Sequence, residues 1–572
     1  MTKRWILQQP APAAVEPLAA ATGLSPVAAG IIAGRGLTEP DQAASFLAPR
    51  LADMLDPFLL AGMEAAVERL VAARATAEPV CIYGDYDVDG ISATALLVSG
   101  FTALGLQAGY HIPNRMEDGY GLNRDALTQI RQQGFGLAVS VDCGVTAVDE
   151  ARFCRDIGLD LIITDHHQPL PELPEAVAVI NPHRPDCGYP FKGLSGVGVA
   201  FSLLVALRSR LRESGTFGSN GPDLRQWLDL VALGTVADLV PLTGQNRLLV
   251  ASGLQRMGDD CRTGLAALKQ VAGVRGAVSS GQVAFQLAPR LNAAGRLESA
   301  VPGVELLLTD DSDRAAVLAA ELDAANTERR QLERRIFDEA VAQVNAQGKM
   351  DQRKSIVLAS PDWHQGVVGI VASRLVERYY RPTILVAERE DGSGKGSGRS
   401  ISGFHLLECL HDCAEYLERY GGHRAAAGVT VPPGLMAPFC EAFEQAVARQ
   451  LGERELIAEL RLDAVLQPEE LTLDLVAEVQ RMEPFGMGNP TPLFLLQEME
   501  VLERRSFGAG NLNLRVQRNG LQFRAVGWGM ADRQFPSVVD LACSLKRDIW
   551  NNREQIKLEL KDIRAAEAFH AA

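Results

Sequence analysis

Acidic side chains and histidines recur at four places where short apolar runs stop. Val80–Tyr83 runs into Gly84-Asp85-Tyr86-Asp87-Val88-Asp89-Gly90, and Leu137–Val141 into Asp142-Cys143-Gly144. Leu161–Thr164 runs into Asp165-His166-His167, and Leu228–Leu233 into Gly234-Thr235-Val236-Ala237-Asp238. If these runs are parallel strands of one α/β sheet, their carboxyl ends line one edge and the acids and imidazoles converge in a single crevice. Four or more carboxylates in one place repel each other, and divalent cations resolve that repulsion. Oxygen ligands with one or two imidazoles suit Mg²⁺ or Mn²⁺, and the histidines tilt the choice toward Mn²⁺. Two such ions about 3.5–4 Å apart lower the pKa of a water between them and neutralise a transferring phosphoryl group, which is the chemistry of phosphodiester hydrolysis. Asp87 and Asp89, two residues apart, can reach two neighbouring ions from an extended or turning segment. A single strand-end Asp more often caps a helix than binds a metal, and Asp85 and Asp165 fit that plainer role too. The four ends taken together are what point to a metal site.

The elements that must position these residues can be read from the surrounding pattern. Two further apolar runs, Ala108–Ile112 and Val177–Ile180, alternate with helical stretches at Ser92–Leu104, Asp125–Gln133 and Ala147–Ile157. That spacing predicts βαβ units and a parallel sheet covered by helices. Residues 1–75 read as helical, broken by Pro40, Pro49 and Pro57, and Val197 to Lys269 as mostly helical. Pro302 to Gly348 reads as one long polar-faced helix of the kind that bridges two domains. A second α/β pattern begins at Lys354, with strands at Ser355–Ala359 and Thr383–Ala387, a Gly/Ser loop at Asp391–Ser402, and helices near Phe404–Tyr420 and Leu435–Gln450. From Leu456 short alternating runs dominate, among them Phe494–Leu496, Asn513–Gln517, Gln522–Val526, Val538–Leu545 and Gln555–Leu560, which predicts a small barrel or sandwich. The expected fold class is therefore α/β. A parallel-sheet catalytic domain is joined by a long helix to a smaller α/β domain, and an all-β barrel follows. The expected boundaries are 1–75, 76–300, 301–350, 351–455 and 456–572.

With 572 residues, 47% apolar, 22% charged and a net charge of −15, the chain is neither disordered, collagen-like nor mainly coiled coil. Its most apolar run, Gly196–Leu207, is far short of the ~20 residues a membrane-spanning helix needs, so no membrane association is expected. Lys3 and Arg4 open the chain without the apolar run of a signal peptide. The nine cysteines include no CxxC pair and read as reduced thiols, so the expected location is the cytoplasm. Charge is uneven: residues 501–572 hold twelve basic and eight acidic residues, and the remainder carries −19. An acidic body with a basic tail fits an enzyme that gathers carboxylates for metals and binds a polyanion elsewhere. In the tail, Arg504, Arg505, Arg515, Arg518, Arg524, Lys546 and Arg547 interleave with Phe507, Phe523, Trp528 and Trp550. Cations beside aromatics suit single-strand binding, although each aromatic taken alone reads more simply as barrel core.

The ordered set of Asp-x-Asp-x-Asp-Gly, Val-Asp-Cys-Gly, Asp-His-His and Gly-Thr-Val-Ala-Asp resembles the DHH phosphoesterase superfamily. Pro113-Asn114-Arg115 to Asp118-Gly119-Tyr120-Gly121-Leu122, Leu194-Ser195-Gly196-Val197-Gly198 and Arg290-Leu291-Asn292-Ala293-Ala294-Gly295-Arg296 resemble the RecJ single-strand exonucleases within it. Trp363 to Ile370, Gly396-Ser397-Gly398-Arg399-Ser400 and Gly421-Gly422-His423 resemble the DHHA1 domain that accompanies DHH domains. The resemblance makes the terminal barrel OB-like.

By position, the resemblance implies that Asp87, Asp89, Asp142, His166 and Asp238 ligate two Mn²⁺ or Mg²⁺ ions, with Asp142 bridging. It places Asp142, Asp85 and His167 among the catalytic residues, His167 contacting the scissile phosphate or protonating the leaving oxygen. The family often has His where this chain has Tyr83. A neutral phenol is a poor ligand, so one ion is expected to bind weakly until substrate completes its shell. Gly396 to Ser400 supplies main-chain N–H groups, two hydroxyls and a guanidinium fork for a phosphate, and Gly421-Gly422 permits close backbone approach. Substrate contacts are expected at Arg290, Asn292, Arg296, His364, Arg374, Ser397, Arg399, Ser400 and His423. The activity implied is 5′→3′ hydrolysis of single-stranded DNA to 5′-mononucleotides in recombination and repair, by a monomer working with single-strand binding protein and a recombination helicase. Short-substrate DHH phosphodiesterases are the rival enzyme class, and they usually lack the barrel. A non-catalytic DNA-binding scaffold is the rival of another class. It would be marked by lost ligands, and here only Tyr83 departs.

Overall fold

The computed structural model describes residues 3–114, 121–217, 221–258, 261–348, 350, 353–550 and 553–566. The motif residues Arg115 and Asp118 to Tyr120 lie outside them, as does the side chain of Trp550. The chain divides into two compact units, one formed by Trp5–Leu322 with the chain from Arg461 onward, the other chiefly by Asp323–Leu460.

In the first unit, strand β1 (Arg4–Leu7) precedes helices α1 (Pro12–Thr22), α2 (Pro26–Gly34), α3 (Pro40–Leu47) and α4 (Met63–Ala75). The N-terminal region is thus not all helix. Pro12, Pro26 and Pro40 each open a helix rather than break one, because the first turn has no use for the missing N–H.

A parallel sheet follows as β2 (Pro79–Tyr83), α5 (Val88–Ala103), β3 (Gln107–His111), α6 (Arg124–Gln132), β4 (Leu137–Val141), α7 (Val148–Asp156), β5 (Asp160–Thr164) and β6 (Ala178–Ile180). All five strands are parallel, in the order β3-β2-β4-β5-β6. The order reverses between β2 and β4, and there the loops leaving neighbouring strands diverge to opposite faces and open a crevice. β4 is buried at all five positions, as a central parallel strand must be.

Helices α8 (Gly196–Glu213), α9 (Leu228–Ala237), α10 (Gly244–Arg256) and α11 (Thr263–Ala272) complete this layer. The run Leu228–Leu233, expected as a strand, is the start of α9, so Asp238 sits at a helix C-terminus. The helix is buried at all but one of its positions. It therefore shows no polar face, and a short apolar run of that kind cannot be told from a buried strand by periodicity.

The short α12 (Ser280–Gln282), α13 (Ala288–Leu297) and α14 (Val301–Leu308) lead to α15 (Ser312–Ala346), 35 residues long, which carries the chain from one unit to the other. The single helix expected over 302–348 is broken at Thr309–Asp311. Asp311 Oδ1 accepts hydrogen bonds from the main-chain N–H groups of Asp313 and Arg314 at 2.8 and 3.1 Å, restarting the helix as a cap does.

The second unit holds β7 (Ile356–Ser360), α16 (Val368–Tyr379), β8 (Thr383–Glu388), β9 (Gly394–Arg399), α17 (Leu406–His411), β10 (Arg419–Gly422), β11 (Ala426–Val431) and α18 (Met436–Leu451). Its mixed sheet has the order β10-β11-β9-β8-β7. The expected Gly/Ser loop is largely β9, an interior strand. A Cβ at Gly396 would lie 2.8 Å from both Val386 and Val429, so the glycines are what let the neighbouring strands' side chains cross it.

After β12 (Glu459–Leu462) the chain rejoins the first unit through β13 (Ala464–Val465) and α19 (Leu473–Gln480). β14 (Phe494–Phe507), β15 (Asn511–Arg518), β16 (Leu521–Gly527), β17 (Val538–Trp550) and β18 (Arg553–Ala565) close into a five-stranded barrel through β14–β17 pairing. Its core includes Leu496, Leu512 and Leu541, and α1–α3 add Leu18, Ile31, Ile32 and Phe46 to that same core. Buried Arg247 on α10 ties the pieces together. It stacks on Phe46, donates to the Phe46 carbonyl at 2.7 Å, and reaches the carbonyls of Met482 and Glu483 at 2.9 and 2.8 Å. All nine cysteines are free thiols. Among the described residues no single helix is long and apolar enough to cross a membrane.

A candidate metal centre and its surroundings

The acids and histidines do meet at the crevice between β2 and β4. Asp87 caps α5, its Oδ1 accepting from the N–H groups of Asp89 and Gly90 at 2.9 and 3.1 Å. Asp89 is fully buried, and its two oxygens accept from Gly196 and Val197 at 2.7 and 2.9 Å, in the first turn of α8. Asp142, just past β4, holds φ at +61°, which is costly for a residue with a Cβ, and its N–H bonds the Thr164 carbonyl at 3.0 Å. His166 Nε2 lies 3.1 Å from Asp142 Oδ1 and 3.4 Å from Asp238 Oδ2. Donor atoms of Asp142, His166 and His167 lie within 4.8 Å of one another, as do those of Asp89, His166 and Asp238, and those of Asp85, Asp87 and Asp142. Asp142 and His166 each belong to two of these groups. Every residue expected as ligand or catalyst is therefore in the cluster.

Two glycines make the approach possible. A Cβ at Gly196 would stand 2.5 Å from Asp142 Oδ1, and one at Gly234 would stand 2.5 Å from Asp89 Oδ1. Helices α8 and α9 thus come against the carboxylates only because these positions lack side chains.

Burial and mutual repulsion shape the charges. Burial, then Asp87, pushes Asp89 up to about 7, and burial, then Asp89, pushes Asp238 up to about 9. Asp142 is raised well above the carboxylate range by burial and then by Asp89, Asp87, Asp238 and Asp85. Burial, then His167, lowers His166 to about 4, so its imidazole is neutral at neutral pH, the form that binds metals. A cation in the cluster would restore the ionised carboxylates and use the neutral ring. The residues fit such an ion: among the described residues, the buried atoms His166 Nε2 and Asp238 Oδ2 make no hydrogen bond. Oxygens with imidazole nitrogen are the donor set of Mn²⁺ and Mg²⁺.

His167 is set apart by Asp165. Asp165 Oδ1 lies 2.7 Å from His167 Nδ1 and accepts from the N–H groups of His166 and His167, while Oδ2 accepts from Val145 at 2.9 Å. Burial opposes ionisation of Asp165, but the His167 contact and the main-chain donors outweigh it and hold the carboxyl below its usual range. Burial likewise works against a charged His167, and Asp165 outweighs it, so the imidazole is raised.

Asn181 was missed by the sequence reading. Its amide donates to the His167 carbonyl at 2.9 Å, and its Oδ1 accepts from the His183 N–H at 2.7 Å. It follows β6 directly, so the same strand-end rule could have found it. Tyr83 is buried, and its hydroxyl donates to the Gly121 carbonyl at 3.1 Å and accepts from Asn123 at 3.3 Å, a role in holding the loop before α6.

Helix α13 backs the β2–α5 loop. Asn292 Oδ1 accepts from the Val88 N–H at 3.1 Å, and a Cβ at Gly295 would meet the Tyr86 carbonyl at 2.7 Å. Asn292 therefore positions the loop carrying Asp87 and Asp89. Arg290 bonds the Gln286 carbonyl at 2.5 Å, and Arg296 lies on the same helix.

In the second unit, Ser397 and Arg399 lie on one face of β9, Arg399 Nη1 donating to Ser397 Oγ at 3.0 Å. A Cβ at Gly369, in the first turn of α16, would stand 2.8 Å from Ser397 Oγ and 3.0 Å from Arg399 Nη2. A helix N-terminus, a hydroxyl and a guanidinium thus share one spot, which suits an anion. The His364 carbonyl accepts from Val367 and Val368 at this helix start. Arg374 pairs with Glu333 at 3.1 Å and lies 4.1 Å over Phe337, and Ser400 Oγ bonds the Ile401 and Phe404 carbonyls at 3.2 Å. Both side chains are thereby engaged within their own unit. His423 follows β10, exposed.

Cross-strand register sets Arg515, Arg524, Lys557 and Lys546 in one row across the outer face of the barrel. Asp548 lies 3.6 Å from both Arg524 and Lys557. Phe507 and Trp528 are 39% and 57% exposed, with ring centroids 5.8 Å apart. These two aromatics are surface rather than core, whereas Phe523 packs against the barrel core.

Residues 79–235 match the model of the DHH family, N-terminal domain, 352–449 the DHHA1 domain, and 462–562 the RecJ OB domain. The single-stranded-DNA-specific exonuclease RecJ of Bacillus subtilis is 39% identical over 572 residues, 99% of this chain and 71% of the relative. That of Escherichia coli is 39% identical over 513 residues, 87% of each. The crystal structure of RecJ in complex with Mn²⁺ from Thermus thermophilus superposes with a TM-score of 0.84 at 34% identity, covering 99% of this chain and 80% of that one. A Mg²⁺ complex from the same organism gives 0.79 at 33% identity, covering 99% and 79%.

Proposed function

The chain belongs to the RecJ family of single-stranded-DNA-specific exonucleases, and on that premise we propose how its residues carry the reaction. It is a metal-dependent hydrolytic nuclease acting on single-stranded DNA, with Mn²⁺ or Mg²⁺ as its cation. The observation that carries the mechanistic reading is the meeting of Asp142, His166 and Asp238 within 3.4 Å contacts, with Asp85, Asp87 and Asp89 beside them. In this reading Asp87, Asp89, Asp142, His166 and Asp238 hold two ions, Asp142 being shared. When bound, such ions neutralise the transferring phosphoryl group and make a water acidic enough to attack at neutral pH.

The chain's own groups do the rest. The strained Asp142 backbone and the α8 N-terminus fix the carboxylates before substrate arrives, so little reorganisation is left for the reaction. Asp165 orients His167 and raises its pKa, and in this reading His167 delivers a proton to the leaving oxygen. Asp85 supports this group from the β2 loop. Ser397 and Arg399 bind a substrate phosphate at the start of α16, with His364 and His423 alongside them in the same role, and Arg290 and Arg296 contact the strand from α13. The basic row and the Phe507–Trp528 pair of the barrel hold the single strand by phosphate contact and stacking.

Family resemblance supports the finer reading. Hydrolysis runs 5′→3′ and releases 5′-mononucleotides in recombination and repair. The enzyme acts in the cytoplasm as a monomer, beside a single-strand binding protein and a recombination helicase. The decisive experiment follows single-stranded DNA labelled at the 5′ or the 3′ end, with Mn²⁺ or with EDTA, for the wild type and Asp142→Ala. Mn²⁺-dependent release of labelled mononucleotide from the 5′ end, lost in the variant, is the expected result. Binding without cleavage would overturn it.

A further inference from the structure

Three large apolar side chains of the first unit stand in solvent around one tight turn beside the acid–histidine cluster. Leu239 is 63% exposed, Phe285 84% and Met487 57%. One exposed apolar residue is ordinary on a protein surface, whereas several gathered beside a site mark a binding surface. The turn is Gly486–Asn489, closed by main-chain hydrogen bonds between Gly486 and Asn489 at 2.8 and 3.1 Å, with Met487 at its tip. Buried Asn489 donates from its amide to the Met482 and Pro484 carbonyls at 2.9 and 2.7 Å, which holds the turn in place.

The other two residues lie on segments that run between the cluster and this turn. Leu239 directly follows Asp238, and three residues later the Leu242 N–H donates to the Met487 carbonyl at 2.7 Å. Ser280 Oγ donates to the Phe485 carbonyl at 2.5 Å, and Asn292 accepts from the Val88 N–H, between Asp87 and Asp89. Phe285 lies between those two anchors, on the wide π-turn Val283–Leu287, which packs against α9. Seven residues separate it from Asn292, about 10 Å along a helix axis. Turns of this kind recur at functional sites.

Leu239 also carries backbone strain. Its φ is +60°, a left-handed conformation that is costly for a bulky residue and that glycine would adopt freely. A side chain left mostly in solvent gains little from burial to offset that cost. Strain of this kind clusters at ligand clamps and active sites.

We propose that Leu239, Phe285 and Met487 form an apolar rim that takes the unstacked bases of the DNA strand whose phosphate lies at the acid–histidine cluster. The proposal rests on that cluster being the place of cleavage. Phe, Leu and Met are among the side chains that proteins wedge against base steps, and stacking on a base face tolerates any sequence. In a duplex the base faces are covered by their neighbours, and exposing them costs energy. The rim therefore favours single strands through the bases themselves. It does not touch the reacting phosphate, so it acts on substrate affinity rather than on the chemical step.

Initial rates with Mn²⁺ test this for Leu239→Gly, Phe285→Ala and Met487→Ala, on a labelled single strand and on the same strand with abasic sites in its first few nucleotides. On the intact strand KM should rise roughly ten-fold in Phe285→Ala and several-fold in the others, with kcat kept. On the abasic strand the variants should match the wild type, because the base that each side chain would meet is already gone. Leu239→Gly relieves the strained backbone, so its melting midpoint should be no lower than that of the wild type, which separates a lost contact from a lost fold. Unchanged KM in all three variants, equal rises on both strands, or losses confined to kcat would overturn the rim alone. Cleavage persisting in Asp142→Ala would overturn the cluster reading and the rim placed beside it.

Discussion

Nδ1 of His167 lies 2.7 Å from Oδ1 of Asp165, and the same carboxylate accepts main-chain hydrogen bonds from His166, His167 and Val145. One buried acid therefore raises the pKa of His167 and fixes the backbone course of the Asp-His-His turn. Asp165→Asn would keep the shape and lose the charge. His167 would then feel burial without its counterweight, and its pKa would fall. The alkaline limb of the kcat profile should move to lower pH, with kcat down about 10–100-fold. A lower rate with an unmoved limb would assign Asp165 a purely structural role.

The metal-free cluster should make stability depend on pH in a definite direction. Asp89 and Asp238 titrate near 7 and 9 in the fold, well above the unfolded value. Between roughly pH 4 and 9 the unfolded chain then binds fewer protons than the fold, so stability in EDTA falls as pH rises. Mn²⁺ binds the ionised carboxylates and should cancel that fall. The gap between melting midpoints with Mn²⁺ and with EDTA should widen from about pH 5.5 to about pH 8. A gap independent of pH would argue that these acids do not bind the ion.

Tyr83 holds the loop carrying Gly121 and Asn123 through its hydroxyl. Tyr83→Phe should cost about 1 kcal/mol or somewhat more in stability, because the buried partners lose their bond. Mn²⁺ affinity, measured calorimetrically, should not change. Weakened Mn²⁺ binding at unchanged stability would instead make the phenol a ligand.

Phe507 and Trp528 offer an exposed aromatic pair at the edge of the barrel. Trp528→Ala should weaken binding of a single-stranded oligonucleotide roughly ten-fold, since one stacked base contributes about 1–3 kcal/mol. Cleavage of a dinucleotide, too short to reach the barrel, should be unaffected. Equal losses on both substrates would place Trp528 elsewhere in the mechanism.

The meeting of the acids and histidines was largely legible from strand ends, because a parallel sheet puts the carboxyl ends of its strands on one edge whatever the details of packing. Asp85, Asp87, Asp89, Asp142, His166 and His167 were found by that rule. Asp238 was found for the wrong reason, since its run is the helix α9. What stayed hidden depends on partners distant in sequence. Nothing local distinguishes Gly394–Arg399 as an interior strand, since neighbouring strands supply the side chains that fill its glycines. That Asn292 also holds the β2–α5 loop shows only once the Val88 N–H is seen beside it. The sharing of one core between Leu18, Ile31 and the barrel joins segments more than 400 residues apart.

Arg247 also bears on how this protein can be taken apart. Its guanidinium is satisfied by carbonyls from the N-terminal helices and from the segment leading into the barrel. A fragment cut before Arg461 would keep the whole parallel sheet and the acid–histidine cluster, yet leave that cation buried with three of its four carbonyl acceptors gone. The borders at which sequence families divide this chain are therefore poor places to dissect it. Removing the barrel to ask what the nuclease does alone would change the nuclease as well, and single substitutions on the barrel's outer face would answer that question more cleanly.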